Sequence, residues 1–195
     1  MRKVELTLGL AAALLATSAC SNQGEQANKT GQTPAAAKLA GSKTIAAGLP
    51  ADGKFMAAAK AAGIDKTLAG PGPYTVLVPD DAAFAKLPAG SLDNVSDPQE
   101  RAKITSILTY HILPGTVLAA DIGKTIDNAK GKAILMTVGG QTFTATKEGS
   151  DIVLTDSAGG KAHITKADEE FSNGVVHHID AVMTPPSPGA QKPAN

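Results

Sequence analysis

The sequence predicts an α+β domain, on three observations. Helical signals gather in the first half of the chain, one helix having both ends marked. A β-rich run at 74–78 ends in a proline corner, and after Gly115 the pattern changes to short β-prone runs separated by glycine turns.

The marked helix starts at Asp97. Asp97 suits an N-cap, Pro98 takes the first helical position where its missing N–H is not needed, and Glu100 follows at capping-box spacing. Ile104, Ile107, Leu108 and His111 then recur at i, i+3, i+4 and i+7, an apolar stripe that ends in an imidazole; the helix is expected to stop at Leu113, Pro114 and Gly115. A histidine on a buried helix face has to be accounted for, because an unpaired polar group away from water costs a few kcal/mol. Two roles fit His111: a neutral ring hydrogen-bonded in the core beside Tyr110, or a metal ligand or general base.

The chain has 195 residues, 43% of them apolar, enough for one domain with a sizeable core and some appendages. Lys plus Arg balances Asp plus Glu at 18 each, so no long-range field points to an anionic partner. With no Trp, two Tyr and four Phe, and no basic stripe among them, a base-stacking surface would have little to work with and nucleic-acid binding is not expected.

Residues 1–19 read as an export signal: Arg2 and Lys3, an apolar run from Leu6 to Ala16 too short to span a bilayer, and the small residues Thr17-Ser18-Ala19. Cys20 follows directly and is the only cysteine, so no intramolecular disulfide can form. T-S-A-C resembles the lipobox of bacterial lipoproteins, which implies a lipidated Cys20 as a membrane anchor; the alternative is a secreted or soluble periplasmic protein with a free or discarded thiol. Ser21 after the cysteine resembles outer-membrane sorting, facing periplasm or surface. Residues 20–40 are small and polar without periodicity, a flexible tether of about 25 Å root-mean-square span and ~70 Å at full extension.

The globular part is expected over 41–186. Thr44–Leu49 and Asp52–Ala62 are alanine-rich helical segments, the second closed by Gly63 and Ile64, with Phe55, Met56, Ile64 and Leu68 supplying most of the anchoring area. Gly70-Pro71-Gly72-Pro73 forces a turn. Tyr74–Val78 is a strand ended by Pro79; Asp80 is placed as N-cap of a short helix, Asp81–Leu87, with Phe84 and Leu87 on one side. Asp80 and Asp81 are read as helix-start acids rather than an acid/base pair, because adjacency does not give them opposed environments. Later runs at Ala133–Val138, Gln141–Lys147, Ile152–Thr155 and Ala162–Thr165 have hairpin spacing. A polar segment Lys166–Phe171 leads to Asn173-Gly174, and Val175–Met183 is the last strand. His177 and His178 must point to opposite faces of it and cannot chelate one metal together. Residues 187–195 read as a disordered Pro-rich tail.

Three ordered blocks carry a family resemblance. T-V-L-V-P-D-D-A-A-F at 75–84, T-Y-H-I-L-P-G at 109–115 and N-G-V-V-H-H-I-D-A-V-M-T-P at 173–185 resemble the signature stretches of fasciclin domains. Departures are Leu77, Val78 and Asp80 in the first block and His178 in the last, where an apolar residue is common. The resemblance implies a wedge-shaped β-sandwich of mainly antiparallel strands covered by several α-helices. It makes Thr75, Pro79, Phe84, Tyr110, His111, Asn173, Gly174, His177 and Asp180 signature positions of structure. Asp121-Ile122 is similar to an Asp-Ile contact of animal members, but a dipeptide is too short to be specific.

For function, the resemblance implies a non-enzymatic extracytoplasmic interaction module, in cell-surface or matrix adhesion, whose partner is a protein or an envelope or matrix component. The alternative is a periplasmic carrier for an apolar small molecule. No nucleophile elbow, phosphate loop or zinc motif is present, so no catalytic residue, cofactor or metal is assigned; a site built from His111, His163 and one of the last pair has no supporting spacing. The molecule is expected to be a monomer, and the role of His178 stays open.

Overall fold

A computed structural model describes residues 41–86 and 97–186. The export signal, Cys20, the tether, Leu87 and the Pro-rich tail lie outside the described residues. In chain order the elements are α1 (Ile45–Gly48), α2 (Lys54–Ala62), α3 (Asp65–Ala69), β1 (Tyr74–Pro79), α4 (Asp81–Phe84), α5 (Pro98–Tyr110) and β2 (Ile112–Pro114). They continue with α6 (Ala119–Asn128), β3 (Ala133–Met136), β4 (Thr142–Glu148), β5 (Asp151–Thr155), β6 (Lys161–Phe171) and β7 (Gly174–Ile179).

The sheet is organised on β1 and β7, strands from opposite ends of the domain that pair in parallel with Tyr74 opposite Gly174 and Pro79 opposite Ile179. β2 adds antiparallel to the free edge of β1, and the chain meanders antiparallel from β7 through β6, β5 and β4 to β3, in the order β2-β1-β7-β6-β5-β4-β3. The ends of this sheet approach each other. Val138, just past β3, donates its N–H to the Ile112 carbonyl of β2 at 2.7 Å, and Gly139 bonds the Thr109 carbonyl at 3.2 Å.

Side chains alternate along a strand, so a curled sheet covered on its outer face builds two cores. Val76, Val78 and Val176 join Ile45, Phe55, Met56, Leu68, Phe84, Ile104 and Leu108 of the helices. Leu77 and Ile179 turn inward to meet Tyr110, Leu113, Phe143, Leu154 and Met183, closed by Ile122 and Ile126 of α6. The result is an α+β sandwich of a mainly antiparallel sheet with several helices, as the sequence predicts.

Details differ. Helix α5 ends at Tyr110, not at Leu113, because the apolar Ile112 and Leu113 are drawn into β2 against β1. Pro114 is tolerated there since β2 is an edge strand at which a missing donor does little harm. Asp97 caps α5 through Gln99 N–H at 2.8 Å, whereas the Glu100 carboxylate lies on Lys103 Nζ at 2.6 Å instead of completing a capping box. Asp80 holds the cap position of α4 with extended backbone but its side chain makes no cap bond, and α4 ends at Phe84.

The last strand stops at Ile179 rather than Met183, because Asp180 leaves the ladder to bond His163. The polar segment 166–171 is not a connection but the second half of β6, bent by register shifts on either side of Lys166 and by Asp168 at φ 58°. Helices α3 and α6 lie outside the helical segments that the sequence predicts. At the end of α2, Gly63 takes φ 76° and the paired bonds from Gly63 to Lys60 and from Ile64 to Ala59 close the helix as expected.

Candidate functional site

The signature residues are placed at joints between elements, and their polar atoms are engaged there. Thr75 Oγ1 donates to the Gly115 carbonyl and accepts from Val117 N–H, both at 2.8 Å, fixing the chain that leaves β2. Asn173 uses every polar atom of its amide: Oδ1 accepts from Ile45 N–H, and Nδ2 donates to the carbonyls of Leu68 and Gly70 at 2.8 and 2.7 Å. Gly174 leaves room for β1, since a Cβ there would stand 2.0 Å from the Tyr74 carbonyl oxygen. Asp180 accepts from His163 N–H at 2.7 Å. Pro79 is buried at the end of β1, and Phe84 is buried among the helices.

The two buried histidines have both ring nitrogens occupied. In His111, Nδ1 donates to the Ile107 carbonyl at 2.7 Å and Nε2 accepts from Met183 N–H at 3.2 Å. This arrangement needs the neutral ring, and burial pushes its pKa down to about 4. In His177, Nδ1 accepts from Asp168 N–H at 3.1 Å and Nε2 donates to the Val117 carbonyl at 2.8 Å; burial lowers its pKa as well. Tyr110 packs its ring on Phe143 at 4.3 Å between centroids and points its hydroxyl at the Thr142 carbonyl, 3.4 Å away. Burial first, then the Asp156 carboxylate, raises its pKa to about 12. The void beside His111 holds only about 10 Å³, the space of one water and too little for a substrate. Among the described residues no cluster of three or more His, Cys, Asp and Glu is placed to hold a metal, and no buried side-chain nitrogen or oxygen lacks a partner.

Solvent-facing features lie elsewhere. One is a cleft of about 280 Å³, open to water, between the start of α2 and the ends of β1 and β7. Leu49, Phe55, Met56 and Val78 form its apolar floor, while Asp52, Asp80, Asp81 and His178 stand around it. His178 is held between two carboxylates, Nε2 at 2.9 Å from Glu169 and Nδ1 at 3.5 Å from Asp80. Asp80 also accepts from Thr165 Oγ1 at 3.3 Å. Asp81 accepts Lys54 N–H at 3.1 Å, capping α2 from a distant part of the chain. Glu169 has its pKa lowered by Lys166 and then by His178. Val78, Asp80 and His178, three of the four departures in the signature blocks, thus meet in one cleft.

The other feature is a stripe on β3 and just beyond it, where Ile134, Met136 and Val138 are 62%, 51% and 49% exposed. They alternate with Ala133 and Leu135, which pack inward. In the sequence every position of the run 133–138 except Thr137 is apolar, so no alternation reveals which face is open. Asp121 and Ile122, by contrast, do not act together: Ile122 is buried, and Asp121 pairs with Lys124 at 3.5 Å.

The family model of the fasciclin domain matches residues 53–185. Protein sll1483 of Synechocystis sp. is 36% identical over 143 residues, covering 73% of this chain and 72% of that protein. Cell surface glycolipoprotein MPB83 of Mycobacterium bovis is 33% identical over 116 residues, 60% of this chain and 46% of that one. Among solved structures, a FAS1 domain pair from the insect cell adhesion molecule fasciclin I is similar over 69% of this chain and 45% of that chain, at 29% identity and a TM-score of 0.48. With the model match spanning most of the described domain, and the three signature blocks built into its joints, the chain belongs to the fasciclin domain family.

Proposed function

We propose that the chain is a non-enzymatic interaction module of the cell envelope, exported, anchored through a lipidated Cys20, and acting in adhesion by contact with a protein or an envelope or matrix component. The observation that carries this reading is the outward apolar stripe of Ile134, Met136 and Val138 at the end of the sheet. Apolar side chains held rigidly in one row are the kind of surface that a partner desolvates. Support for a structural rather than catalytic use of the histidines comes from the satisfied rings of His111 and His177. Support for surface anchoring comes from the relative that is itself a cell surface glycolipoprotein, together with the Cys20 context. No helix among the described residues is long and apolar enough to cross a membrane.

The carrier alternative has one observation in its favour, the cleft on the helical side. Its volume of about 280 Å³ falls just below the range of roughly 300–1,000 Å³ usual for small-molecule sites, and it is rimmed by acidic residues, so an apolar cargo would leave them facing it. Adhesion is tested with cells displaying the full chain: replacing Ile134, Met136 and Val138 together by Thr is expected to lower retention on envelope- or matrix-coated surfaces about tenfold. Unchanged retention, or an apolar molecule co-purifying in native mass spectrometry, would replace this reading with the carrier. Anchoring is tested by Cys20→Ser, which is expected to move the protein from the membrane pellet to the soluble fraction; a variant still in the pellet overturns the anchor.

A further inference from the structure

The cleft beside α2 combines two properties that call for different halves of one ligand. Its floor is made by Leu49, Phe55, Met56 and Val78, residues of the core packed between the helices and the sheet. Around it stand Asp52, Asp80 and Asp81, and among the described residues no lysine or arginine lines it. We propose that this cleft binds the lysine or arginine side chain of a partner protein, with the aliphatic stem on the apolar floor and the cationic head at the Asp52 and Asp80 carboxylates.

Size, charge and rigidity carry the assignment. A space of about 280 Å³ is small for a drug-sized molecule but ample for one long side chain. Lysine and arginine are the side chains whose ordinary arrangement is an apolar stem with a charged tip, so a half-apolar, half-acidic recess complements both parts at once. The Asp80 acceptor is already positioned. Asp80 is fixed by Thr165 Oγ1 at 3.3 Å and stands 3.5 Å from His178 Nδ1, yet its side chain remains 43% exposed. Asp81 is oriented by Lys54 N–H at 3.1 Å. His178 is in turn held by Glu169 at 2.9 Å, so the wall on that side does not need to be ordered by the ligand. Preorganisation of this kind reduces the entropic cost of binding. The site is separate from the β3 stripe and stands or falls independently of it.

The test uses the full chain and three capped amino acids as probes: N-acetyl-lysine amide, N-acetyl-arginine amide and N-acetyl-norleucine amide, the last keeping the stem and lacking the charge. Binding is read from the methyl resonances of Met56 and Val78 and the ring protons of His178. Saturable shifts are expected with the two cationic probes, and norleucine amide should bind about fivefold more weakly. Raising the salt concentration should erase most of that difference. Asp52→Asn with Asp80→Asn should do the same while Asp151→Asn, remote on β5, should not; Asp81 is left intact because it caps α2. The proposal is overturned if no probe gives saturable shifts, if norleucine amide binds as tightly as lysine amide, or if the double variant retains the preference. Tighter binding of free 1,5-diaminopentane than of capped lysine would assign the site to a small cation and overturn the protein side chain as its occupant.

Discussion

Nε2 of His111, at the end of α5, accepts the backbone N–H of Met183, beyond the last strand, at 3.2 Å. One buried imidazole therefore ties together segments 72 residues apart, while its Nδ1–H closes the last turn of its own helix on Ile107. The bond to Met183 requires an unprotonated nitrogen, and this couples the fold to pH. The folded pKa of about 4 lies below the ordinary 6.5, so between these values the unfolded chain binds more protons than the native one. Stability from His111 is full above about pH 6.5 and is lost as pH falls toward 4, and His177, lowered in the same direction, adds to the trend. At about 1.4 kcal/mol per pH unit, the His111 contribution is on the order of 3 kcal/mol. Urea unfolding followed from pH 7 to 4.5 is expected to show a falling midpoint, with a flatter slope in His111→Gln, which will also be less stable at pH 7. An equally steep slope in that variant would count against the coupling.

The start of β7 leaves no room for a side chain. A methyl group on Gly174 would come within 2.0 Å of the Tyr74 carbonyl oxygen and 2.9 Å of Ile45 Cδ1, so Gly174→Ala must push β1 and β7 apart at the first pair of their ladder. A loss above about 4 kcal/mol, or failure to fold, is expected. Asn173→Asp replaces a donor of two hydrogen bonds by an anionic oxygen facing the carbonyls of Leu68 and Gly70, with an expected loss of about 3 kcal/mol. Thermal and urea denaturation of both variants measure these effects; near-native stability in either would refute the account of that joint.

How much of this could be read from residues alone depends on the range of the interactions. Helix α5 was legible at its start because Asp97 and Pro98 act on their neighbours, and its end was misplaced because β2 exists only by pairing with β1, more than thirty residues earlier. The same holds for Asp80: the local pattern indicates a cap, while His178 and Thr165, brought in from the far end of the chain, take its carboxylate. Helix α6 left a faint signal, Leu118, Ile122 and Ile126 at four-residue spacing, that a single apolar stripe between polar residues makes easy to overlook. The signature blocks identified the joints, yet their bonding partners at Leu68, Val117 and Met183 became visible only in three dimensions.

Two aspartates cap helices by different routes, and their variants separate local from tertiary stabilisation. Asp97 is in sequence with α5, whereas Asp81 reaches the first turn of α2 from another helix. Each cap satisfies an otherwise unpaired N–H near the positive end of a helix dipole, so Asp97→Ala and Asp81→Ala are each expected to cost about 1 kcal/mol. Amide hydrogen exchange distinguishes them. Asp97→Ala should accelerate exchange at Gln99 only, and Asp81→Ala at Lys54 and the adjoining turn of α2; acceleration spread over both helices in either variant would contradict independent capping.

The β3 stripe yields a prediction in which stability and binding part company. Ile134, Met136 and Val138 are each about half exposed or more, whereas Phe143 on the adjacent strand β4 and Leu154 on β5 beyond it are fully buried in the inner core. Replacing the three stripe residues by Thr keeps strand-compatible side chains and opens no cavity, so the unfolding free energy should change by less than about 1 kcal/mol. Leu154→Thr, one residue in the same sheet, should cost about 3 kcal/mol because it leaves a cavity and buries a hydroxyl. Sedimentation and denaturation of the two variants test this together: the triple variant is expected to fold normally and adsorb less to apolar surfaces. A triple variant as unstable as Leu154→Thr would mean that the stripe is core, and the contact surface would have to be sought elsewhere.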